Sequence, residues 1–61
     1  MELKSDRVVE NMTDDEIKAE YALVEARLDE IEHVIDPALQ QEIDALREYQ
    51  VLLKGTVLAR R

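Results

Sequence analysis

Asp36-Pro37 divides the chain into two runs of the same apolar rhythm, and no other feature narrows the possible folds as far. Ahead of it, Ile17, Tyr21, Val24, Leu28, Ile31 and Ile35 recur at steps of 4, 3, 4, 3 and 4. Behind it, Leu39, Ile43, Leu46, Gln50, Leu53 and Val57 recur at the same steps. Such steps draw a stripe along one helix face, the spacing with which one helix packs on another. In a single unbroken helix the Pro37 ring would meet the carbonyl of His33 and remove a hydrogen bond, costing about 3 kcal/mol. The phase breaks as well. Continuing the first stripe predicts Ala38, Glu42 and Ala45, whereas the strong residues fall one position later. The expected fold is therefore all-α, a two-helix antiparallel hairpin turning at Asp36-Pro37. A kinked continuous helix in a long coiled coil is the alternative that the rhythm permits.

The boundaries follow from capping chemistry. Thr13 followed three residues later by Glu16 forms a capping box, and Met12 with Ile17 stands at the two positions of a hydrophobic staple. Asp14 and Asp15 put negative charge in the first turn, where the helix dipole favours it. The first long helix is expected over 14–35. Asp36 suits an N-cap and Pro37 the first helical position, so the second helix is expected over 37–54. Lys54-Gly55 resembles a stop with glycine in the left-handed position, yet Val57 keeps the rhythm. Residues 55–61 are therefore read as an extension of the same helix. Residues 1–12 form an arm in which Ser5 to Glu10 can make one short turn of helix, ended by Asn11, with Leu3, Val8 and Val9 lying on the hairpin.

A chain of 61 residues without cysteine has few ways to stabilise itself. Below about 70–80 residues a core seldom suffices alone, and disulfides, a metal or oligomerisation usually help. Disulfides are impossible, and one histidine, His33, excludes a His/Cys zinc site. Self-association remains. Once the two stripes meet, Leu23, Val34, Val51, Leu52 and Leu58 are left over, an apolar arc too wide for one partner helix. They are the expected seam of a helical-bundle oligomer, a four-helix dimer being the simplest closed form. Gln50 is the polar exception on the second stripe. It is expected opposite Tyr21 and Val24 as a core polar pair with Tyr21, unless Tyr49 takes the inward place.

Charge is unevenly spread. The net charge of -7 argues against nucleic acid as a partner, since phosphate neutralisation needs clustered Lys and Arg. Residues 1–48 hold all fifteen acids, and residues 49–61 hold none beside Lys54, Arg60 and Arg61. In a hairpin these three lie near the start of the first long helix, where Lys4, Arg7 and Lys18 also occur. Those six are the candidate anion- or partner-binding residues. Asp29, Glu30, Glu32, Asp36, Glu42 and Asp44 crowd the loop end.

Catalytic constellations are missing. Ser5 is the one serine, there is no thiol, and no glycine-rich phosphate loop occurs. Glu30-x-x-His33 has the spacing used by di-iron bundles, but both residues fall off the Leu28–Ile31–Ile35 stripe. Neither an enzyme nor a cofactor or metal site is expected. No apolar run is long enough for a signal peptide or a bilayer span, so a cytoplasmic, non-membrane protein is the default expectation.

Met12-Thr13-Asp14-Asp15-Glu16-Ile17 opening a long helix, with Leu53-Lys54-Gly55 and Arg60 closing a second, resembles the small phage proteins that sequester cyclic-nucleotide immune signals. The resemblance implies helical-hairpin oligomers with ligand pockets between subunits, and an anti-defence sponge as the function. Val24 stands near the position where that family carries a lysine. From the residues themselves, the leading expectation is a non-enzymatic, self-associating binding or regulatory protein. Two alternatives are a sponge for an anionic nucleotide at the basic open end, and an acidic decoy or antitoxin-like inhibitor of a basic protein.

Overall fold

The computed structural model describes residues 2–61, and the first residue of the arm lies outside the described residues. Among the described residues three helices appear in order: α1 (Asp6–Glu10), α2 (Asp14–Ile31) and α3 (Pro37–Ala59). No strand occurs among the described residues. The two long helices pack together, and α1 packs on α3.

Local chemistry sets most of the boundaries. Thr13 Oγ1 accepts the Glu16 N–H at 3.2 Å while the Thr13 N–H donates to Glu16 Oε1 at 2.9 Å, closing the capping box. The Glu16 carboxyl is held below the usual carboxylate range, chiefly by that Thr13 backbone N–H. At α3, Asp36 Oδ1 accepts the Ala38 N–H at 2.9 Å, with Pro37 opening the helix. Ser5 caps α1, its Oγ accepting the Val8 N–H at 3.4 Å.

Two boundaries depart from expectation. The helix expected to reach residue 35 ends at Ile31, and residues 32–36 connect it to α3. A residue before proline is driven to extended backbone, and Asp36 adopts φ −139°, ψ 116°. Val34 and Ile35 ahead of it are β-branched, and such residues add little to a helix that gives them nothing to pack on. Ile35, expected on the stripe, is instead 102 % exposed. At the other end α3 runs unbroken through Gly55 to Ala59. Gly55 has no positive φ and is no stop, because Val57, one turn beyond Leu53, still packs on the core.

The core is the stripe pair with additions from outside it. Ile17, Val24, Leu28 and Ile31 of α2 meet Ile43, Leu46 and Leu53 of α3, and Val9 of α1 is fully buried with them. Met12, Tyr21, Leu39, Leu52 and Val57 pack partly buried around these. Tyr49, not Gln50, takes the inward place: it is 4 % exposed, whereas Gln50 is half-buried. Tyr21 and Gln50 lie in different surface hollows, the first with Ile17 and Leu53, the second with Glu25 and Arg47.

Ion pairs fix which ends are neighbours. Arg60 Nη1 reaches Asp14 Oδ1 at 2.7 Å, and its Nη2 donates to the Glu10 carbonyl at 2.8 Å. The last turn of α3 is thereby tied to the end of α1 and the start of α2. Near the other end, Arg27 of α2 grips Glu42 of α3 through two hydrogen bonds of 3.2 Å. A planar guanidinium fork suits this two-point hold on a carboxylate.

Candidate functional site

The six basic residues expected to converge are divided among three roles. Lys4 is committed to the fold: its Nζ donates to Glu20 Oε2 at 2.7 Å, and that bond raises its pKa. Glu20 is the one buried charged residue among those described, 7 % exposed. The Lys4 backbone N–H also donates to the Tyr49 hydroxyl at 3.4 Å, so the arm is strapped across both long helices. Arg60 is committed likewise, to Asp14 and Glu10. Arg7 is exposed on α1 and stands apart from the remaining three.

Lys18, Lys54 and Arg61 do come together. With Ile17, Tyr21, Leu53, Val57 and Leu58 they line an open groove of about 330 Å³ between the start of α2 and the end of α3. Helical spacing builds it. Lys18 and Tyr21 sit three apart on one side of α2, while Lys54 and Leu58 follow one another along α3 and Arg61 comes just past its end. None of the three cations pairs with a carboxylate among the described residues. Cations on the rim of an apolar floor attract an anion more strongly than the same charges in open water, because the floor excludes solvent from one side.

A second surface lies on the outer side of α3. Val51, Leu52, Gly55, Thr56 and Ala59 line a hollow of about 400 Å³ with Glu10 and Arg60. Val51 is 72 % exposed, and a Cβ at Gly55 would meet nothing within 4 Å. Of the expected oligomer seam, Leu23, Val34, Val51 and Leu58 are about half exposed or more, and Leu52 is half-buried. Val34 sits apart from the α3 residues, on the connection between the long helices.

Sequence reasoning missed the Lys4–Glu20 and Arg27–Glu42 pairs. A signal for the second was present: Arg27 and Glu42 each precede a stripe residue, Leu28 and Ile43, which puts them at the flank of the seam. Nothing comparable marked Lys4, whose partner depends on the path of the arm. The Ser5 hydroxyl serves as a helix cap. Glu30 holds Arg27 at 3.3 Å. Among the described residues no three His, Asp or Glu side chains converge where a metal ion could be held. Nor is any helix among the described residues long and apolar enough to cross a membrane. No family model matches the chain, and no curated protein or solved structure is significantly similar to it.

Proposed function

We propose that the chain is a non-enzymatic binding and regulatory protein, an antiparallel helical hairpin that pairs with a second copy of itself. The observation that carries this reading is the outer face of α3. From Val51 to Ala59 it presents Val51, Leu52, Gly55 and Ala59 with Thr56, and the one charge in that interval, Lys54, belongs with Leu58 to the groove. Contiguous apolar surface on a small chain marks an interaction site, and a chain of this length gains most from covering it. The Arg60–Asp14 and Arg27–Glu42 pairs support the antiparallel arrangement, because they join the end of α3 to the start of α2 and the end of α2 to the start of α3. Sedimentation equilibrium tests the pairing. The expected mass is at least twice the 7.1 kDa of one chain, falling when Val51→Glu puts a charge on the face. A wild-type mass of one chain at every concentration would overturn it.

The groove favours a second reading, in which the protein sequesters an anionic nucleotide. Three cations around an apolar floor with one aromatic ring suit a ligand that joins phosphate to a flat base. Ile17, Leu53 and Lys54 of the groove also belong to the two segments that resemble the phage sponges. A ligand present at a hundred times its Kd stabilises the native state by about 2.7 kcal/mol, which in so small a domain raises Tm by about 10 °C or more. Thermal melts with cyclic nucleotides should show that rise in the wild type and lose it in Lys54→Glu. No shift with any cyclic nucleotide would remove this reading and leave the first intact.

A further inference from the structure

Two features at opposite ends of the molecule have no use within a single chain. At one end the connection between α2 and α3 carries Val34 and Ile35 outward, 49 % and 102 % exposed. Ile35 touches nothing that hides it from water. Glu32 and Asp36 stand on either side of this apolar tip, with Asp29 in the last turns of α2. At the other end lies the groove, with an apolar floor of Ile17, Leu53 and Val57 and a rim that includes Lys18, Lys54 and Arg61. The molecule measures 38 Å by 17 Å by 17 Å, so the tip of a chain cannot reach its own groove.

The two ends are converse in shape and in charge. One is an apolar protrusion flanked by acids, the other an apolar hollow rimmed by bases. We propose that Val34–Ile35 of one chain docks in the groove of a second copy, with Glu32 and Asp36 facing Lys18, Lys54 and Arg61. Because tip and groove are different surfaces, the contact is head to tail. It either repeats into a filament or closes into a ring, and it is independent of pairing through α3. Its apolar part rests on two side chains, so the contact is weak and builds up with concentration. Its charged part lies at the rim, where salt screens it.

Sedimentation in the Val51→Glu background tests the contact, since that change removes pairing through the α3 face. The expected result is a mass that grows with concentration at low salt and shrinks at high salt. Ile35→Ser and Lys54→Glu should each abolish that growth. Both positions are exposed, and circular dichroism verifies that both variants keep their helices. An equimolar mixture of the two variants retains one intact tip and one intact groove, so its mass should exceed that of either variant alone. A background protein that stays at the mass of one chain at low salt overturns the proposal, whatever the wild type does through α3. So does an Ile35→Ser protein that assembles like its parent. If Lys54→Glu changes the mass and Ile35→Ser does not, the groove takes another occupant and the proposal is wrong. A mixture with no gain over its components overturns it as well.

Discussion

Glu20, Lys4 and Tyr49 show how one buried carboxylate organises a small fold. A charge removed from water is tolerated only when paired, and Glu20 has Lys4 at 2.7 Å. The pair anchors the arm, and the arm brings Val9 into full burial. Burial raises the pKa of the Tyr49 phenol above its ordinary value of 10.0, and the bond to Glu20 raises that of Lys4 above 10.5. A group whose pKa is raised on folding contributes stability that is intact below the unfolded value and lost as pH climbs through the folded one. The wild type should therefore lose Tm as pH rises above about 10. Tyr49→Phe cannot ionise at that position and should lose less over the same range. Parallel loss in the two proteins, followed by thermal circular dichroism, would contradict the assignment.

At the scale of elements, what was legible in the sequence was what is decided locally. The capping box at Thr13, the Asp36 N-cap and Pro37 at the head of α3 involve residues within three positions of one another. Seven of the nine buried apolar core residues also sit on the two stripes read from the sequence, Val9 and Tyr49 being the exceptions. The end of α2 was not legible, because the apolar rhythm continues to Ile35 after the helix has lost anything to pack against. Tyr49 and Gln50 both adjoin the seam, and composition does not choose between neighbours. Of six bases expected at one site, three share the groove, because the route of the arm and the last turn of α3 use Lys4 and Arg60 for the fold itself. The caps yield a prediction at this scale. Thr13→Ala and Asp36→Ala should each destabilise by about 1 kcal/mol. The caps stand at the starts of different helices and share no hydrogen-bond partner, so the double variant should lose the sum to within about 0.5 kcal/mol. Urea denaturation of the four proteins measures this, and a double variant well below the sum would mean that the two caps are coupled.

At the scale of the whole molecule, the chain is small, long in one dimension and unevenly covered. Its core fills the seam between α2 and α3, while the outer face of α3, the Val34–Ile35 tip and the basic groove are left to solvent. In the proposed assembly these surfaces are places of contact, α3 pairing with a second copy side to side and the tip meeting a groove end to end. The side-to-side contact is apolar and persists in salt; the end-to-end contact weakens as salt rises. Sedimentation equilibrium of the wild type at high salt, from micromolar to submillimolar concentration, therefore isolates pairing through α3. The mass should level at twice that of one chain. A mass of 7.1 kDa across the whole range would contradict the pairing.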